Sequence, residues 1–148
     1  MLAKYNSLAA PTRILALLLA LLCNAHPAAA AEDVLVIVNK NNTHVIDRTT
    51  LLKIYTGALK YWPDGSPIFA LDQEENGEAR NSFYADKIGK SPATIRTIWA
   101  QLIFSGRGLP PKVAKIDEKM IQIVATNKDA IGYVRSSAAD ASVRVLDF

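Results

Sequence analysis

Residues 67–83 read PIFALDQEENGEARNSF: a short apolar run, then a polar loop, then the opening of a helix. A strand followed by a loop and a helix start is where an α/β domain ordinarily binds its ligand. The helix N–H groups without intrahelical partners lie beside the carboxyl end of the strand. The loop is strongly acidic, with Asp72, Glu74, Glu75 and Glu78 inside seven residues. An anion held here must overcome their repulsion, which salt screens. The same carboxylates invite a hard cation such as Ca²⁺. They lack the alternating ligand spacing of a known loop, however, and read as a solvated loop with no metal site.

Working outward, residues 34–38 (VLVIV) form the continuous β-branched run of a strand buried on both faces, as in a parallel sheet. Asp47 can cap a short helix that places Leu51, Leu52, Ile54 and Tyr55 on one side, and Gly57 supplies a left-handed stop. The run YWPDG at 61–65 is a turn, and residues 68–71 make the second strand. Asn76 is the expected N-cap of a helix reaching about Ile88, with Ala79, Phe83, Tyr84 and Ile88 inward. Ser91 followed by Pro92 opens the clearest helix, whose apolar set Ile95, Ile98, Trp99, Leu102 and Ile103 follows helical spacing. Gly106 and Gly108 end it, and Pro110-Pro111 prevent it from resuming.

Asp117 is the expected cap of a further helix through about Thr126, with Met120, Ile121, Val124 and Ala125 buried. Residues 130–134 (AIGYV) and 143–146 (VRVL) are the last strands. The glycine in the middle of the first marks a close approach of backbone or ligand, most simply a packing contact. Strands interleaved with helices imply an α/β domain with a mainly parallel sheet flanked by helices.

The N-terminus has a separate role. Lys4 and Arg13 flank an otherwise uncharged start, residues 14–22 are an unbroken apolar run, and 28–31 are four alanines offering a cleavage site. Nine apolar residues are too few to span a bilayer. Residues 1–31 therefore read as a cleaved secretory signal peptide and 32–148 as one exported, periplasmic domain. Cys23 follows Leu22, where a lipoprotein signal wants a small residue, so no lipid anchor is expected.

Of the 17 basic residues, Lys4 and Arg13 leave with the signal, whereas all 14 acidic residues stay. The mature charge is close to neutral. With no cluster of Lys or Arg interleaved with aromatics, nucleic acid is not an expected partner. Cys23 also leaves, so the domain needs no disulfide. About 117 residues suffice for one core and are too few for two.

The ordered motifs Ile54-Tyr55-Thr56-Gly57, Trp62-Pro63-Asp64-Gly65, Ile68 with its polar loop and Arg80 to Phe83, Trp99 with Phe104-Ser105-Gly106, and Ala130-Ile131-Gly132-Tyr133-Val134 carry a resemblance. The chain resembles the phosphate-binding proteins of ABC-type uptake systems, and more closely their short, single-lobe members. The resemblance implies one lobe of a type II periplasmic binding protein. It also implies phosphate or a related small oxyanion as ligand and a link to ABC-type phosphate uptake.

The family's arginine, ten residues before the phenylalanine matched by Phe83, is Gln73 here. Its Ser-Gly-Thr triplet is Gly77-Glu78-Ala79. The ligand-binding residues expected in this chain are therefore Gln73, Asn76, Gly77 and Arg80, with hydroxyls from Thr56 and Ser105. Arg80 has a second reading as a solvated residue paired with Asp72 or Glu75.

No catalytic residue and no cofactor is expected. The mature chain has no cysteine nucleophile, no Gly-x-Ser-x-Gly elbow and no phosphate-cradling glycine loop. His44, the one histidine after the signal segment, cannot build a transition-metal site alone. Two binding classes follow: a solute-binding lobe for a small anion, or a ligand-free lobe that contacts a membrane or periplasmic protein or forms a homodimer.

Overall fold

The computed structural model describes residues 33–148; the signal-peptide reading of residues 1–31 lies outside the described residues. Among the described residues, five strands and four α-helices follow in chain order: β1 (Val34–Asn39), α1 (Arg48–Tyr55), β2 (Phe69–Asp72), α2 (Glu78–Ser82), α3 (Pro92–Phe104), β3 (Lys112–Val113), α4 (Asp117–Thr126), β4 (Ala130–Arg135) and β5 (Val143–Leu146). Helix α2 runs directly into a π-helical segment, Phe83–Ile88, which ends at Gly89 in a left-handed conformation.

The strands make one sheet in the order β3-β2-β4-β1-β5. Strand β2 is parallel to both of its neighbours, whereas β1 is antiparallel to β4 and to β5. The sheet is thus mixed, and the expected parallel character belongs to the half that contains β2. An apolar run such as VLVIV reports burial on both faces and is silent about strand direction.

Two cores sandwich the sheet. Val34, Val36, Val38, Ile131 and Tyr133 point to the face covered by α1, the helix of residues 78–88 and α3, where they meet Leu51, Tyr55, Phe83, Tyr84, Ile95 and Trp99. Ile37, Leu71, Ala130 and Val134 point to the other face and meet Met120, Ile121 and Val124 of α4. The period-two alternation of a strand produces this division. Gly132 lies on the α4 side, where a Cβ would collide with Met120 Sδ. Its missing side chain is what lets α4 sit against β4.

The caps follow local chemistry. Asp47 Oδ1 accepts from Thr50 N at 2.7 Å, and Ser91 Oγ from Thr94 N at 3.1 Å. Gly57 turns left-handed after α1, as its residue type requires. Two caps differ from expectation. Gly77, not Asn76, holds the N-cap position of α2, and Asn76 itself has φ +66°, a left-handed loop conformation that asparagine tolerates. Ile116, not Asp117, precedes α4. The Asp117 carboxylate is bound by residues from elsewhere in the chain and does not fold back on its own helix. Strand β3 has no apolar signal to announce it, because both of its residues are exposed.

Candidate functional site

Strand β2 ends at Asp72, and there the chain buries a group of polar side chains. Asp72 is 6 % exposed, Gln73 9 %, Arg80 7 % and Asp117 2 %. Burying a carboxylate is tolerable only with donors around it, and Asp72 has four. Its Oδ1 accepts from the Gln73 N–H at 2.8 Å and from the Tyr133 hydroxyl. Its Oδ2 accepts from Arg80 Nε at 3.1 Å and from the Tyr84 hydroxyl at 2.8 Å.

Local spacing explains half of this arrangement. Arg80 and Tyr84 are four apart on one helix, so both reach the same carboxylate, and the guanidinium carbon lies 4.8 Å from the Tyr84 ring centroid. Tyr133 arrives from β4, the strand beside β2, with its ring stacked on Phe83 at 3.8 Å between centroids. Tyr55 stands edge-on to Phe83 and donates its hydroxyl to Leu71 O at 2.8 Å.

Protonation follows from this environment. Burial, and then the charge of Asp72, push the phenols of Tyr84 and Tyr133 far above the ordinary tyrosine range, so both remain donors. Burial also holds Tyr55 high, helped by Tyr84 and Asp72. Burial works against the charge on Arg80, but the Asp72 carboxylate, together with Tyr84 and Tyr133, more than offsets it and holds the guanidinium above its ordinary range.

Gln73 belongs to the same group. Its Nε2 donates to Asp117 Oδ1 at 2.7 Å and to Tyr133 O at 3.2 Å, which engages both amide hydrogens. Arg135 Nε lies 2.8 Å from Asp117 Oδ2, completing a chain of charges from Arg80 to Arg135. Gln73 and Arg80 therefore come together, joined through Asp72. Arg80 is buried, unlike the solvated residue of its second reading, although its pairing with Asp72 is as that reading had it. Gly77 opens the helix that carries Arg80, and Asn76 is an exposed turn residue before it.

Thr56 and Ser105 do not join this group. Each ends a helix and turns its hydroxyl onto that helix, Thr56 Oγ1 to Leu52 O at 2.7 Å and Ser105 Oγ to Gln101 O at 2.8 Å. Each hydroxyl adds a second bond to a carbonyl that already accepts the same residue's backbone N–H. Glu74 and Glu75 stay exposed and pair loosely with Lys115 at 3.8 Å and Arg96 at 3.9 Å, contacts worth little in water. Among the described residues no group of three or more His, Cys, Asp or Glu is placed to hold a metal ion.

The sequence reading missed Tyr84, Tyr133 and Asp117 as members of this site. Tyr84 carried a usable signal, its four-residue spacing from Arg80. Tyr133 carried a weaker one, as a polar-tipped aromatic in an otherwise apolar strand. Asp117 carried none.

No family model matches the chain, and no curated protein sequence does. Solved structures do. An ABC-type phosphate transport receptor from Vibrio cholerae aligns with 79 % of this chain and 46 % of its own, at 21 % identity and a TM-score of 0.62. A phosphate ABC transporter substrate-binding protein with bound phosphate from Clostridium perfringens aligns with 78 % of this chain and 44 % of its own, at 21 % identity and a TM-score of 0.63. PstS from Borrelia burgdorferi aligns with 78 % and 46 %, at 16 % identity and a TM-score of 0.58. The chain thus has the fold of part of these receptors and spans less than half the length of each. Among the described residues, no helix is long and apolar enough to cross a membrane.

Proposed function

We propose that this chain is an exported, non-catalytic solute-binding lobe that takes phosphate or a related small oxyanion at the end of β2, in connection with ABC-type phosphate uptake. The observation that carries the reading is Arg80. Its guanidinium is buried at the carboxyl end of a parallel strand and is held at Nε by Asp72. Its Nη1 and Nη2 have no hydrogen-bond partner among the described residues and remain within reach of solvent. An oxyanion is the partner that those two N–H edges fit best. Backbone N–H groups at 78–79 would add to it, and Gly77 and Asn76 form the turn beside them.

The likeness of fold to phosphate receptors supports the ligand class, and the signal-like residues 1–31 support export to the periplasm. The neighbours in fold are receptors and substrate-binding proteins, which fits a binding role. A single lobe leaves a small ion uncovered on one side. Another copy or a membrane or periplasmic partner would cover it.

One observation favours a second reading, a lobe that contacts a protein and holds no anion. Gln73 stands where the family has its arginine, and its amide hydrogens are engaged by Asp117 and Tyr133. The hydroxyls of Thr56 and Ser105 are committed to their own helices. Selectivity for an anion then rests on Arg80 and the backbone.

Thermal unfolding of the purified protein with phosphate or sulfate separates the two readings. Phosphate at a hundred times its dissociation constant stabilises the folded state by about 2.7 kcal/mol. Arg80→Lys, which keeps the charge facing Asp72 and loses the second N–H edge, should abolish that gain. If neither anion moves the midpoint, the anion reading fails and the protein-contact reading replaces it.

A further inference from the structure

The start of β2 has a different character from its end. Ile68 and Phe69, together with Ile54 of α1, Trp99 of α3 and the loop that carries Leu109 and Pro110, wall an apolar cleft of about 270 Å³. Its back wall is stiff. Trp99 Nε1 donates to Tyr55 O at 3.0 Å, and Gly57 packs so closely beneath Trp99 and Leu102 that a Cβ there would lie 2.8 Å from each. Its rim is open, with Leu109 82 % exposed.

Two charged side chains line the cleft, and both are lysines, Lys60 and Lys112; no carboxylate does. Lys60 Nζ donates to Arg107 O, which leaves two of its three protons available. Lys112 Nζ lies 6.0 Å from the Phe69 ring centroid. Neither has a carboxylate partner among the described residues. The surrounding segments continue the asymmetry, since residues 53–62 and 103–116 contain five basic residues and no acidic one.

We infer that this cleft is a binding site for a small amphipathic carboxylate, an acid whose apolar body lies against Trp99 and Phe69 and whose carboxylate meets Lys60 and Lys112. Apolar walls with a few convergent polar groups are the usual construction of a small-molecule site, and this one is slightly smaller than the usual drug-sized pocket. Its volume is that of roughly nine liquid waters, which admits an acid of about six to eight carbons. The charge complementarity selects an anion, and the walls select one with a hydrocarbon body, unlike phosphate. This site is independent of the Arg80 site at the other end of the strand.

The test is a titration of the full chain with octanoate, followed by ¹H–¹⁵N correlation spectra. The two tryptophan indole N–H signals report on separate places: Trp99 lines the cleft, and Trp62 is held by Asp129 O outside it. Octanoate should move the Trp99 indole and the Gly108 amide saturably and leave the Trp62 indole in place. Octylammonium should move neither, and Lys60→Gln with Lys112→Gln, two surface changes that preserve the fold, should weaken octanoate at least tenfold. Phosphate should leave the Trp99 indole unmoved, so failure here and failure at Arg80 are read separately.

The proposal is overturned if octanol binds as tightly as octanoate, if no shift saturates, or if the shifts centre on Gln73. It is also overturned if the chain self-associates through the cleft, with Leu109→Asp dissociating it and octanoate failing to compete. That result would make the cleft an interface between copies.

Discussion

At the carboxyl end of β2, Asp72 takes hydrogen bonds from four donors and carries a buried guanidinium with it. At the start of the same strand, Phe69 walls a cleft whose two lysines have no carboxylate partner among the described residues. Four residues of strand separate a densely hydrogen-bonded polar cluster from an open apolar one. A buried carboxylate that takes four hydrogen bonds rigidifies its surroundings and holds them in one arrangement. Unpaired ammonium groups beside apolar walls stabilise the fold little and remain free for an outside partner. Structure and reactivity toward ligands are thus unevenly divided along one strand, and the one group that belongs to both is Arg80.

The sharpest way to break this comparison is Asp72→Ala. It strips the acceptor from four donors and leaves Arg80 buried and uncompensated, so unfolding in urea should show a loss of about 3–5 kcal/mol. Asp72→Asn, which keeps shape and part of the acceptor set, should lose less. Equal losses would mean that the charge pairing contributes nothing.

Alkaline pH attacks the same end. Tyr55, Tyr84 and Tyr133 are all held above their unfolded pKa of 10.0. Their contribution is fully present below pH 10 and is lost as pH rises, because the unfolded chain releases protons that the folded one retains. Each tyrosine steepens the loss by about 1.4 kcal/mol per pH unit. Urea titrations from pH 9 to 11 should show a falling midpoint, with a shallower fall in Tyr84→Phe.

Gly132→Ala tests how the cluster is assembled. The new methyl group meets Met120 Sδ and pushes α4, with Asp117, away from Gln73, at a cost of about 1–3 kcal/mol by overpacking. A double-mutant cycle with Met120→Ala should recover most of that increment. At the open end the expected effect is smallest: Lys112→Gln should change stability by no more than about 0.5 kcal/mol while weakening octanoate. A larger loss of stability would show that the lysine is structural and the contrast false.

Much of the fold was legible before any coordinates. Asp47 and Ser91 cap their helices as read, Gly57 and Gly106 turn left-handed after α1 and α3, and the strands at 130 and 143 fall where the β-branched runs stand. These are short-range matters, settled by hydrogen bonds and sterics within a few residues. Misplaced caps mark where distant partners intervened. Asp117 read as a cap because aspartate favours that position, yet Gln73 and Arg135 claim its carboxylate. Asn76 read as a cap for the same reason, yet the turn through Glu74 and Gly77 takes it into the left-handed region. Thr56 and Ser105 read as free hydroxyls, although the carbonyl one turn back on a helix is always within reach of such a side chain.

By itself the sequence determined the order of the elements other than β3, the caps of α1 and α3 with their glycine stops, the burial of β1 on both faces, and the acidity of the loop after β2. Only the tertiary structure decided that β1 runs antiparallel between β4 and β5, that Gln73 meets Asp117 across 44 residues and Asp72 meets Tyr133 across 61, and that a lysine-rimmed cleft opens beside Trp99. Periodicity and capping act through covalent neighbours and can be read along the chain. A buried carboxylate takes whichever donors packing brings to it, and that choice depends on the sheet as a whole.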